Sequence, residues 1–150
     1  MRARRIVGAR HARCYCHRVK PLNERTTHAM AKVRQTRTTP EETVALTLRR
    51  LKISYRRNVR SLPGKPDFVN QTRGWAIQVH GCFWHQHGCR RSTLPSHNRD
   101  AWIAKFERNK ERDREVESAL RSRGLRVLTL WECELKDSIQ LENVLNTYLR

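Results

Sequence analysis

The chain has 150 residues, with 32 Lys and Arg against 14 Asp and Glu, a formal charge of +18 at pH 7. That length suits one domain, and a mean hydropathy of −0.83 permits only a modest core. No apolar run approaches the ~18 residues of a membrane-spanning helix, and no signal-peptide pattern follows the basic start. The expectation is a soluble intracellular protein with a polyanionic partner.

The charge is uneven. Residues 1–60 carry 17 Lys and Arg with 3 acids, whereas residues 61–150 carry 15 with 11. Residues 1–39 show little apolar periodicity and a single acid, Glu24. Most of this segment reads as flexible until it meets nucleic acid, and residues 1–29 are assigned as a basic arm ahead of a domain at 30–150. Such an arm would neutralise phosphates and bring salt-dependent affinity without sequence information.

Thr39-Pro40-Glu41-Glu42 has the form of a helix start, with Pro in the first turn and acids at the positive dipole end. Val44, Leu48 and Leu51 follow as one apolar stripe. Ile53 to Val59 reads as a short strand, stopped by the turn signal Leu62-Pro63-Gly64. Pro66 to Asn70 and Trp75 to His80 are two more strands. In the latter, Trp75, Ile77 and Val79 alternate with Ala76, Gln78 and His80. Gly81 to Arg91 has no clear period. A long charged helix is predicted from Arg99 to Arg123, burying Trp102, Phe106, Val116 and Leu120, and Gly124 stops it. Leu125 to Trp131 reads as a buried strand. Ser138 to Leu149 reads as a final helix with Leu141, Val144, Leu145 and Tyr148 on one face. This order defines a single α/β domain with a mixed sheet.

The run His80-Gly-Cys82-Phe-Trp-His85-Gln-His87-Gly-Cys89 puts two Cys and three His within ten residues. Tetrahedral zinc takes four N or S ligands, and Cys82, His87 and Cys89 with distant Cys133 would form a closed, structural Cys₃His set. The competing reading makes Cys133 an ordinary buried thiol. Cys14 and Cys16 lack a matching second pair, which favours a fortuitous cluster. Asp67 follows a Pro-Gly-Lys-Pro turn among cationic neighbours, where a carboxylate could hold Mg²⁺ beside a phosphate or simply cap the turn. Glu41 is equally open between chemistry and a helix first turn. His80 and His85 remain available as bases. Phosphodiester hydrolysis needs a water-activating base and stabilisation of developing negative charge, and these residue types supply both.

Together, Leu62-Pro-Gly-Lys-Pro-Asp-Phe68, Val79-His-Gly-Cys-Phe-Trp-His-Gln-His-Gly-Cys89, Asn109-Lys-Glu-Arg-Asp113 and Trp131-Glu-Cys133 resemble the very-short-patch mismatch repair endonucleases. The similarity runs over about residues 25–137, back through Met30 and Thr38-Thr-Pro-Glu41. It implies a restriction-endonuclease-like fold and Mg²⁺-dependent nicking of duplex DNA 5′ of the thymine in a T·G mismatch left by 5-methylcytosine deamination. The resemblance makes Asp67 and the Val79 carbonyl the Mg²⁺ ligands, His85 the base, and His80 a supporting catalytic residue. Glu41 would bind metal-held water. Cys82, His87, Cys89 and Cys133 would be the structural zinc ligands. Phe83, Trp84 and Met30 would wedge into the DNA, which is cheapest where pairing is already weak. Val79 stands where the family often has Thr or Asp, a harmless change if only the carbonyl binds. A monomer is expected, cytoplasmic and nucleoid-associated, with other mismatch-repair proteins as further partners. Two alternatives remain: a zinc-stabilised DNA-binding module without catalysis, and a related nuclease of other specificity.

Overall fold

The computed structural model describes residues 36–149, together with Val19, Glu24, His28 and Ala31 singly. Met30, Cys14 and Cys16, and nearly all of the predicted 1–29 arm, lie outside the described residues. Among the described residues no helix is long and apolar enough to cross a membrane.

The first helix, α1, spans Thr39–Arg50 and starts as the sequence indicates, with Thr38 as N-cap and Pro40 in the first turn. The Glu41 carboxylate reaches back over that start and accepts from the Arg37 N–H (2.9 Å), the Thr38 N–H (3.3 Å) and the Thr38 hydroxyl (2.8 Å). A helix leaves its first N–H groups unpartnered, and a side-chain acceptor three residues in is the common remedy.

Four strands follow the order β1 (Arg56–Arg57), β2 (Phe68–Asn70), β3 (Trp75–His80) and β4 (Arg126–Trp131) across one sheet. β1/β2 and β2/β3 are antiparallel, and β3/β4 is parallel. The parallel step requires a crossover. The chain makes it through a short helix, α2 (Cys82–His85), and a long one, α3 (Arg99–Arg121). After β4 a 3₁₀ turn at Glu134–Lys136 leads into α4 (Ser138–Leu149).

The β3 alternation becomes two cores. Trp75 and Ile77 join Phe68 and Leu130 against Val44 and Leu48 of α1 and Leu141, Leu145 and Leu149 of α4. Ala76 faces the other way, with Val69 and Val127 against Leu120 of α3. The result is helices on both faces of a mixed sheet, the α/β architecture expected. Truncating Phe68, which is fully buried, to Ala would cost about 3–5 kcal/mol.

Several boundaries differ from the sequence reading. The predicted strand at 53–59 shrinks to Arg56–Arg57, and Asn58, with a left-handed φ of 49°, ends it. The strand expected from Pro66 begins at Phe68, after a proline that has no N–H for the ladder. The 81–91 loop holds the α2 turn, which an 11-residue stretch without periodicity concealed. Val144 is 37% exposed, and Leu149 takes the buried place on α4. Gly124 does follow α3 with φ +79°, a conformation that favours glycine.

Candidate active site and Cys/His cluster

The site is built at the end of β3. Each residue there faces a different way because side chains and backbone groups alternate along a strand. Glu132 N–H donates to the His80 carbonyl (3.0 Å), so the backbone of residue 80 points to β4 and that of Val79 points toward β2. Two residues beyond Phe68↔Ile77, the ladder would set Val79 opposite Pro66. Pro66 has no N–H to give to the Val79 carbonyl. The Val79 N–H instead donates to Asp67 Oδ2 at 2.8 Å. Asp67 and the Val79 carbonyl therefore share one corner of the sheet. Burial pushes the Asp67 carboxyl from its usual 3.8 up to about 6; the Val79 N–H opposes this, Glu41 adds to it, and Arg57 and His85 oppose it.

The His80 ring is buried and turns toward α3. It lies flat against His85 of α2, with centroids 3.9 Å apart and planes 9° apart. His85 Nδ1 forms a direct hydrogen bond with Asp113 Oδ2 of α3. An ionised carboxylate only accepts, so Nδ1 carries the proton and Nε2 is free to act as a base. Burial works to raise the Asp113 carboxyl, but the hydrogen bond and charge of His85 and the charge of His80 outweigh it and hold it below its usual value. Burial and the charge of His85 push His80 down to about 4, so His80 is neutral at pH 7. His80, His85 and Asp113 could share a metal by proximity. The direct His85–Asp113 hydrogen bond is also the geometry of a proton-handling pair.

Asp113 is absent from the site inferred from sequence, although the run containing it is not. The buried face of α3 follows Trp102, Phe106, Asn109, Asp113, Val116 and Leu120 at helical spacing. Its two polar members lie where the helix passes the active site. Asn109 Nδ2 donates to the Trp84 carbonyl at 2.8 Å, and Asp113 holds His85. The gap in the apolar stripe between Phe106 and Val116 was the available signal. An open groove of about 320 Å³ leads to this corner, lined by His80, His85, Lys110, Asp113, Arg114 and Trp131 among others.

Glu41 is brought near Asp67, as its charge effect requires, but its oxygens already serve the α1 N-terminus. Arg57 lies 3.9 Å from Glu41 and 2.8 Å from Glu42. Phe83 and Trp84 are half-buried and meet edge to face at 5.0 Å. Phe83 also packs on Trp102 and Phe106 at 5.4 Å, while Lys105 Nζ lies 4.9 Å from the Trp84 ring centre.

Cys82, His87, Cys89 and Cys133 converge, with all four ligand atoms within 4.8 Å of one another. The three cysteines are unbridged. His87 Nδ1 lies 3.3 Å from Cys133 Sγ and 4.0 Å from Cys82 Sγ. A tetrahedral zinc site with these ligands has edges of about 3.3–3.8 Å, so the cluster fits after a small contraction. Its fold depends on Gln86, whose left-handed φ of 50° ends α2 and turns His87 back. Gln86 Nε2 donates to the Phe83 carbonyl (2.8 Å), which offsets the strain of that conformation. Burial pushes the Cys82 thiol up to about 12, whereas the Arg91 N–H and His87 bring Cys89 down to about 6.

A base-bearing corner next to a buried carboxylate, on a mixed α/β sheet, is the equipment of a hydrolase acting on a charged ester. The chain belongs to the Vsr family of DNA mismatch endonucleases and is a DNA endonuclease. The family model, described as DNA mismatch endonuclease Vsr, matches residues 22–91. That span holds Glu41, Asp67, Val79, His80, His85 and three of the Cys/His set, and stops before Asp113 and Cys133. Among relatives, type II nicking enzyme V.XorIIP of Xanthomonas oryzae pv. oryzae is 42% identical over 126 residues, covering 84% of this chain and 93% of its own. Type II nicking enzyme V.NmeAIP of Neisseria meningitidis is 36% identical over 121 residues, 81% and 86% of the two chains. The DNA mismatch endonuclease Vsr of Escherichia coli is 43% identical over 84 residues, 56% and 54% of the two chains.

Proposed function

We propose that the protein nicks one strand of duplex DNA on the 5′ side of the thymine in a T·G mismatch, using Mg²⁺, on a restriction-endonuclease-like domain held by a structural zinc. The observation that carries the reading is the His85–Asp113 pair stacked on His80 beside the Asp67–Val79 corner. Asp67 and the Val79 carbonyl are hard oxygen donors, the kind Mg²⁺ takes. When bound there, the ion would neutralise charge developing on the phosphate. Cys82, His87, Cys89 and Cys133 are the soft set that zinc takes.

In this reading His85 Nε2 takes a proton from the attacking water, and Asp113 holds the imidazole in the right tautomer and stabilises its charged form. His80, kept neutral by burial, braces the His85 ring without adding charge beside it. Glu41 keeps the α1 start in place near Asp67 and would orient water there. Lys110 and Arg114 bring positive charge to the groove mouth, where the DNA backbone would run. Phe83 and Trp84, backed by Trp102 and Phe106, form a firm aromatic ledge suited to entering a weakened base step, with Met30 supplied from the N-terminal segment. The 1–29 arm adds non-specific grip, and the protein works as a cytoplasmic, nucleoid-associated monomer.

The test is a strand-resolved nicking assay on matched, T·G and other mismatched duplexes, with Mg²⁺ or without divalent ions. The expected result is cleavage of the T strand only, in T·G duplex, with Mg²⁺. Equal cleavage of matched duplex refutes the mismatch assignment, and nicking without Mg²⁺ refutes the ion.

A further inference from the structure

One side chain, Trp131, touches both the candidate active site and the Cys/His cluster. The Trp131 ring meets the His80 ring edge to face, with centroids 5.3 Å apart and planes at 77°. Its flat face lies on the His87 ring, with centroids 4.3 Å apart and planes 13° apart. The contacts thus run unbroken from Asp113 through His85, His80 and Trp131 to His87 and Cys133. The backbone repeats the connection. Trp131 pairs with His80 in the β3/β4 register, Glu132 N–H donates to the His80 carbonyl, and Cys133 follows. Trp131 is half-buried and lines the groove, so it closes one wall of the imidazole pocket.

We propose that Trp131 is a positioning residue, which passes the order of the Cys/His cluster to the His80–His85 imidazole pair. The proposal rests on the hydrolytic role given to that pair above. His80 has a backbone fixed by its pairing with β4, but its ring orientation is set by what it packs against, and His85 and Trp131 both lie on it. Trp131 is itself held flat by His87, whose place depends on the cluster being assembled. A shift of about 1 Å in a catalytic group costs on the order of 100-fold in rate, so a loosened wall would be felt at His85.

The test compares Trp131→Leu, which keeps apolar bulk without a ring, with Trp131→Phe, which keeps an aromatic face. Four quantities are measured on each full-length protein: single-turnover nicking rate, DNA affinity, bound metal per chain, and the proton–proton Overhauser contact between the His80 and His85 rings. Trp131→Leu is expected to nick about 10–100-fold more slowly, with DNA affinity and metal content unchanged and the ring contact weakened. Trp131→Phe is expected to recover most of the rate and the ring contact. Extracting metal from the wild type should weaken the same ring contact. Three results would overturn the proposal: an intact ring contact in Trp131→Leu, a Phe variant as impaired as the Leu variant, or a loss that tracks lost metal or unfolding. The Overhauser measurement needs no nicking, so a wild type that fails to nick T·G duplex would sink the functional reading and leave this one to be judged separately.

Discussion

Replacing Asp67 by Asn should make the metal-free protein more stable at neutral pH while abolishing nicking. The carboxyl is held mainly by burial at about 6 against a usual 3.8, so ionising it works against folding. A gap of about two units corresponds to about 3 kcal/mol, an upper bound because Asn brings an amide NH₂ that also needs a partner. The amide oxygen can still accept the Val79 N–H, so the corner keeps its hydrogen bond. The sign follows from the raised folded-state value. The wild type keeps its full stability from this group below about pH 4 and loses it as pH rises through about 6. The advantage of Asp67→Asn should therefore be absent at pH 4, grow between 4 and 6, and level off above, at about 1–3 kcal/mol. Urea unfolding of both proteins across this range, in Mg²⁺-free buffer without chelator, measures the difference directly. Glu41, Arg57 and His85 face the same carboxyl and are common to both proteins. Added Mg²⁺ should then stabilise the wild type alone. Equal stability at pH 7.5, or a gain that persists at pH 4, would refute the assignment of Asp67 as a charge buried against its own folding free energy.

Three further outcomes follow from the same geometry. Asp113→Asn should lower the single-turnover nicking rate by about 10²–10⁴-fold with DNA affinity retained, and a near-normal rate would remove the tautomer-holding role. The double variant Lys110→Ala, Arg114→Ala should reduce the slope of log affinity against log salt by about 2; an unchanged slope would take the DNA backbone out of the groove. Metal analysis should find one zinc per chain, released in Cys133→Ser together with a lower unfolding midpoint, whereas full retention of zinc would disqualify Cys133 as a ligand.

The strands and helices most legible in the sequence are those with a clean period and a physical stop. β3 and α4 appear over the ranges expected, because Trp75 to His80 alternates and Ser138 to Leu149 repeats at helical spacing. β1 comes out shorter than expected because it is ended by a left-handed residue, Asn58, that is not glycine. At the site, Asp67, Val79, His80 and His85 are gathered at one corner, and the four Cys/His residues at another. Asp113 escaped because it lies 28 residues from His85 on a helix crowded with charge, where one carboxylate resembles its neighbours. Only its place on the buried stripe distinguishes it. Glu41 shows the opposite difficulty: a residue singled out for chemistry also has a complete structural occupation, as the cap of α1.

The end of β3 explains how so few residues serve two different sets of donors. Val79 turns its backbone toward β2 and Asp67, and His80 turns its ring toward α3; successive positions on a strand make that divergence automatic. Gly81 then starts α2, whose single turn sends Cys82 inward and brings His85 back over His80. Left-handed Gln86 reverses the chain once more, and His87 joins Cys82 instead of the imidazole pair. Eleven residues, Val79 to Cys89, thereby hold the Val79 carbonyl and His85 at one corner and Cys82, His87 and Cys89 at the other. The segregation is chemical as well as spatial, since oxygen donors favour magnesium and thiolates favour zinc. The separation is shaped by the backbone conformation at Gln86, and one ring, Trp131, touches both sides.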